Sequence, residues 1–336
     1  LWLVATQGIR PEEVLGLTFT RKAARELAER FRRRITLLRS RRAEFAALGV
    51  NIDHLADDDH GFATPTVSTY NAFASEIFAE HAARIGWDSD SPVITEATAY
   101  AIAREVVTAC TDPRLGEYDL SLDAVIDAVI RLAAELGEFD VTNDDDVITY
   151  ARVVAERGEL PGKSTLDTEK FRAKLKVVGA LEVLLPLARG FVLEKQHRGV
   201  VEFSDQVTFA RRIIQQFPSV AQSYRDRFKV VILDEYQDTS FSQTSLFSEL
   251  FGPERVTAVG DPNQSIYGWR GASPANVASF HDDFHVAEGE RTHRPLVTSW
   301  RNGTAILAAA NVILDNRTEQ NPLDVDRLNS FPGASR

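Results

Sequence analysis

The stretch Val230-Val231-Ile232-Leu233-Asp234-Glu235-Tyr236-Gln237-Asp238-Thr239 runs four apolar residues straight into two carboxylates. A short β-branched run bounded by polar residues predicts a buried strand. Its acidic end would then lie at the carboxyl edge of a sheet, where open α/β sheets bind their ligands. Asp234 has the chemistry to hold Mg²⁺ on nucleotide phosphates, and Glu235 to orient and deprotonate an attacking water. The same acids also suit the entry to a helix, since Asp238 and Thr239 are good caps.

One element further on, Arg255-Val256-Thr257-Ala258-Val259 reads as another buried strand, and it empties into Gly260-Asp261-Pro262-Asn263-Gln264-Ser265-Ile266-Tyr267-Gly268-Trp269-Arg270. Gln264 offers an amide to a phosphate. Tyr267 and Trp269 beside Arg270 either stack on nucleic-acid bases, worth about 1–3 kcal/mol per base, or pack in a core. Strand, helix, strand with buried strands is the signal for a parallel α/β sheet.

Upstream, Val14 to Thr20 and Thr66 to Thr69 predict two further strands, each followed by a helix, over 21–42 and 71–85. The first of these helices carries ten Lys or Arg residues, either a solvated face or a track for a polyanion. From Thr95 to about Gln196 nearly everything has helical periodicity, broken near Thr111-Asp112-Pro113, Thr142-Asn143-Asp144 and Leu160-Pro161-Gly162. A hundred helical residues between strand-bearing stretches predicts an all-helical insertion into an α/β domain.

Composition narrows the class. The chain has 336 residues, 44% hydrophobic and 26% charged, enough apolar material for a core and unlike a disordered or disulfide-stapled module. A net charge of −11 argues against a wholly basic nucleic-acid coat protein but leaves room for local basic grooves. The single cysteine, Cys110, cannot form an internal disulfide and fits a reducing cytoplasm; its place in a helical run reads as a small buried apolar residue. No stretch approaches the roughly 20 apolar residues of a membrane span. Methionine is absent even at position 1, and Leu1-Trp2-Leu3-Val4 reads as the middle of a helix, so a fragment is expected.

The segments DEYQDT and GDPNQSIYGWRGA, preceded by Leu17-Thr18-Phe19-Thr20-Arg21-Lys22-Ala23-Ala24, closely resemble motifs of the UvrD/Rep/PcrA group of superfamily 1 DNA helicases. Val67-Ser68-Thr69-Tyr70-Asn71-Ala72-Phe73, Val201-Glu202-Phe203-Ser204-Asp205 and Thr298-Ser299-Trp300-Arg301-Asn302 extend the resemblance. The wording is similar to the actinobacterial branch, including helicase-nuclease subunits of the AdnA/AdnB type. The resemblance implies a RecA-like parallel-sheet P-loop NTPase motor that uses ATP and Mg²⁺ and runs 3′–5′ on single-stranded and single/double-strand junction DNA in repair or recombination. Asp234 would bind Mg²⁺, Glu235 would be the general base, Gln264 would sense the γ-phosphate, and Arg301 would be an arginine finger. Phe19, Tyr267 and Trp269 would stack on bases, with Thr69 and Arg270 near the DNA backbone or in the network between motifs, and Asn71 at a DNA contact. Asn71 departs from the family's usual His but still donates a hydrogen bond.

The implied organisation is 1–94 as the first part of one RecA-like domain, 95–200 as a helical insertion, 201–290 as that domain continued, and 291–336 as the start of a second. A P-loop needs Gly-x-x-x-x-Gly-Lys-Ser/Thr. Gly158-Glu159-Leu160-Pro161-Gly162-Lys163-Ser164-Thr165 has one residue too few between its glycines and follows no strand. The cradle is therefore expected ahead of Leu1, and residues 1–336 alone are expected to lack ATPase activity. Two alternatives stay open: the motor part of a helicase-nuclease subunit with a partner subunit, and a DNA-binding scaffold that does not hydrolyse ATP. His281 and His285 have a metal-ligand spacing but lack the Glu of a metalloprotease motif and lie within the helicase resemblance, so a metal site is not expected there; the acidic segments 57–59 and 144–146 lack EF-hand spacing and read as solvated loops.

Overall fold

The computed structural model describes residues 2–50, 52, 64–118, 120–156, 175, 177–315 and 327–331, apart from the side chains of Glu254 and Arg270. The segment Gly158 to Thr165 and the acidic segment 57–59 lie outside the described residues. Contacts divide the chain into two compact units, residues 1–70 with 218–336, and residues 71–217.

The first unit is built on strands β1 (Val14–Thr18), β2 (Thr66–Thr69), β3 (Val230–Leu233) and β4 (Val256–Ala258), in the order β2-β1-β3-β4. All three pairings are parallel, with Leu17 beside both Ser68 and Leu233. The α/β class expected from the sequence is therefore the observed one. Every residue of β1 is buried, as a central parallel strand requires. Leu15 and Leu17 are fully enclosed, each side chain contributing about 1.5–3 kcal/mol of apolar burial. The strand ends at Thr18 and not at Thr20, because the Thr20 hydroxyl accepts from the Ala23 amide at 3.1 Å and caps the helix Arg21–Ser40. That cap satisfies a backbone donor that a helix start otherwise leaves open.

The helix Phe241–Phe251 is capped by Ser240, whose hydroxyl accepts from Gln243 N while Gln243 Oε1 accepts from Ser240 N at 3.0 Å. Asp238 and Thr239, which suit a cap by type, are instead buried in the short turn before it. At its other end Arg225 donates to the carbonyls of Glu249 and Leu250, both at 2.6 Å. A cation on the last carbonyls answers both their hydrogen-bond demand and the helix dipole. A second sheet in this unit, β5 (Thr298–Ser299) with β6 (Asn329–Ser330), is a parallel pair.

The second unit is helical. One core joins the helices Glu96–Thr108, Leu122–Glu138 and Leu181–His197 through Ile102, Ile126, Val129, Leu184 and Phe191. Cys110 packs against that core but is half-buried, not enclosed. The helices Tyr70–His81 and Phe203–Gln216 also belong here, joined by the aromatic set Phe78, Trp87 and Phe209, with Trp87 and Phe209 ring centroids 4.8 Å apart. The acidic segment 144–146 is not a loop. It forms the first turn of the helix Asp144–Glu156, where carboxylates are favoured by the helix dipole, and Arg189 donates to Asp144 Oδ1 at 2.7 Å. Among the described residues no helix is long and apolar enough to cross a membrane.

Candidate functional site at the carboxyl edge of the sheet

Four parallel strands place their C-terminal ends on one edge. There the chain presents Thr18-Phe19 after β1, Thr69-Tyr70 at the end of β2, Asp234-Glu235 after β3 and Val259-Gly260-Asp261 after β4. The ladder continues past the strands: Asp234 N donates to Leu17 O at 2.8 Å, Val259 N to Leu233 O at 2.7 Å and Tyr236 N to Val259 O at 3.0 Å. The acidic turn is thus fixed by backbone bonds on both sides.

Asp234 is held at three points. Besides its own amide, its Oδ2 accepts from the Thr18 hydroxyl at 3.1 Å and its carbonyl from the buried Tyr70 hydroxyl at 2.8 Å. Burial, with the neighbouring Tyr236, Asp234 and Glu235 adding to it, pushes the Tyr70 hydroxyl well above its ordinary range, so it stays a donor. The half-buried Asp234 carboxylate beside the Thr18 hydroxyl is a hard-oxygen donor set, which fits Mg²⁺ bound by one protein carboxylate and substrate phosphates.

Glu235 adopts a left-handed backbone, φ 54° and ψ 41°, uncommon for a residue with a Cβ and costly by about 1–3 kcal/mol unless its surroundings hold it. Its side chain is exposed, and its Oε2 accepts from Gln237 Nε2 at 2.8 Å. Gln237 Oε1 in turn accepts from Asp261 N at 3.0 Å, and Asp261 Oδ2 from Gln264 Nε2 at 2.7 Å. Beneath them Asp238 is buried, which raises its carboxyl above the usual 3.8, with the Glu235 charge adding and an amide bond from Ile266 opposing.

The aromatic residues form a second group. Phe19 and Tyr267 have ring centroids 4.4 Å apart, and Tyr267 lies 6.4 Å from Trp269, which is 74% exposed. An exposed indole at the end of a row of rings is not core packing. Thr69 is half-buried at the end of β2, and Asn71 is exposed in the first turn of the following helix. Arg270 closes the turn Gly268–Arg270, its side chain lying outside the described residues. Arg301 is exposed after β5, on the other sheet, beside Trp300, whose ring stacks on Phe331 at 3.7 Å.

The edge therefore joins Glu235 to Gln264 through Gln237 and Asp261, sets the Thr18–Asp234 pair beside them, and draws Phe19, Tyr267 and Trp269 into a row, while Arg301 is carried by a separate sheet. Sequence reading missed Thr18, Tyr70, Gln237 and Asp261 as parts of the site, although all four lie inside the quoted motifs. His281 Nε2 faces Thr292 O at 3.2 Å.

A family model described as the UvrD/REP helicase N-terminal domain matches residues 1–285. The ATP-dependent DNA helicase PcrA of Staphylococcus aureus is 24% identical over 322 residues, 96% of this chain and 36% of that protein. PcrA of Staphylococcus epidermidis is 22% identical over 330 residues, covering 98% of this chain and 37% of that protein. DNA helicase II of Escherichia coli is 39% identical over 119 residues, 35% of this chain and 16% of that protein. The chain spans little more than a third of the PcrA proteins it matches.

Proposed function

This chain belongs to the UvrD/REP helicase family, and on that premise we propose that it forms part of an ATP-driven DNA helicase or translocase. The observation that carries the reading is the bonded run Glu235–Gln237–Asp261–Gln264 beside Thr18–Asp234 on one edge of a parallel sheet. Phosphoryl transfer is mostly positioning and charge stabilisation, and this edge supplies fixed polar groups for both.

In this reading Asp234 would hold Mg²⁺, which would supply positive charge to the nucleotide phosphates. Glu235 accepts a proton from the attacking water. Gln264 donates to the γ-phosphate, and Arg301 adds positive charge as an arginine finger when the sheet that carries it is brought to the cleft. Phe19, Tyr267 and Trp269 stack on single-stranded bases, with Thr69, Asn71 and Arg270 along the phosphate backbone. Residues 1–94 and 201–290 constitute one RecA-like motor domain, 95–200 its helical insertion and 291–336 the start of the second. Hydrolysis changes the grip on the stacked strand and steps the motor 3′–5′ on junction DNA in repair or recombination.

The test is strand displacement by the full-length protein on duplexes with a 3′ or a 5′ tail. ATP-dependent unwinding of the 3′-tailed substrate alone, lost in Glu235→Gln, is expected. Strand separation that is independent of ATP or untouched by Glu235→Gln would overturn the reading.

A further inference from the structure

The geometry points to Gln237 as a positioning residue that aims the Glu235 carboxylate and ties it to the turn bearing Gln264. This inference rests on the reading of Glu235 as general base. Gln237 is 1% exposed, and both ends of its amide are used. Its Nε2 donates to Glu235 Oε2 at 2.8 Å and its Oε1 accepts from Asp261 N at 3.0 Å. A carboxylate accepts only and a backbone N–H donates only, so the two partners fix which way the amide points. The Gln237 carbonyl also accepts from Ser265 Oγ at 3.2 Å, pinning the same residue to the far side of that turn.

Two further observations show that the surroundings are built around this side chain. A Cβ on Gly260 would sit 2.6 Å from Gln237 Oε1 and 3.2 Å from Gln237 N, so only glycine lets the β4 turn approach the amide. Glu235 holds a left-handed backbone, and its exposed carboxylate needs a fixed donor to define its direction. Gln237 supplies that direction. Because Asp261 binds Gln264 Nε2 at 2.7 Å, a ligand that draws on Gln264 pulls on the turn, and through Gln237 on the base. Contact with phosphate and orientation of the attacking water thereby become one event.

The experiment measures ATP turnover of the full-length protein with single-stranded DNA for Gln237→Leu, Gly260→Ala, their double variant and Glu235→Gln. Gln237→Leu keeps the shape and loses the amide. It should lower kcat about 10- to 100-fold, the scale of a misplaced reacting group, with the KM for ATP near wild type and the melting temperature lowered modestly by the Asp261 N–H left without its partner. Gly260→Ala should reproduce the loss, and the double variant should be no worse than either single change. Should Gly260→Ala not fold, Gln237→Leu alone decides. A Gln237→Leu kcat within about twofold of wild type, or a loss matched by a raised KM for ATP, overturns the positioning role. If Glu235→Gln still turns over ATP, the reading of Glu235 falls instead.

Discussion

Glu235 at the sheet edge and Lys195 in the helical unit are both charged groups held by hydrogen bonds, yet they are set up in opposite ways. Lys195 is 2% exposed, and its Nζ donates to Glu202 Oε2 at 2.6 Å and Asp205 Oδ2 at 2.7 Å. It also lies 4.9 Å from the centre of the Phe191 ring. Asp205 Oδ2 accepts from Glu202 N at 2.8 Å as well, so the cluster is enclosed. Glu235 has one side-chain donor and an open face. A sealed charge holds helices in register; an open, aimed one is available to a ligand. The difference between structural and chemical polarity lies in what is left facing solvent, not in the residue types.

The contrast can be broken from either side. Lys195→Ala leaves two half-buried carboxylates without their cation and should cost about 3–5 kcal/mol, read as a lower urea midpoint; a loss below about 1 kcal/mol would show that the cluster is not structural. Trp269→Ala should leave stability unchanged and weaken single-stranded DNA binding by about 1–3 kcal/mol, measured by fluorescence anisotropy at fixed salt. Unaltered affinity would return that indole to the surface. Tyr70→Phe removes the donor to the Asp234 carbonyl and should cost about 1–2 kcal/mol, together with a lower kcat.

The smallest effect concerns Asp238. Its folded carboxyl is raised above 3.8, chiefly by burial. Such a group adds stability only below the unfolded value and loses it as pH rises through the folded one. Asp238→Asn should therefore stabilise the protein modestly at pH 7 and give no gain near pH 3. A gain independent of pH would mean that charge is not the cause.

Strands and motifs were legible because apolar runs ending in Asp-Glu or Gly-Asp combine burial with polarity in a few residues. Less could be read where partners are distant in sequence. Gln237 lies two residues from Glu235, but its second partner, Asp261, comes from the next strand. The acids at 144–146 resemble a loop until Arg189, from another helix, is beside them. The compact helical unit starts at Asn71 and ends at Phe217, outside the span 95–200 read from periodicity. Periodicity reports that a segment is helical; it does not report which core that helix joins. Phe78, Trp87 and Phe209 made that choice by aromatic packing. Capping by Ser240 in place of Asp238 or Thr239 turned on a one-residue shift that residue type alone does not resolve.

The most direct test of the central claim, that the carboxyl edge around Asp234 and Glu235 is an ATPase centre, is the DNA-stimulated ATP hydrolysis rate of the full-length Glu235→Gln protein. Removing a general base costs about 10²–10⁴-fold, so a fall of at least about 100-fold with ATP still bound is predicted. A rate within about threefold of wild type would contradict it.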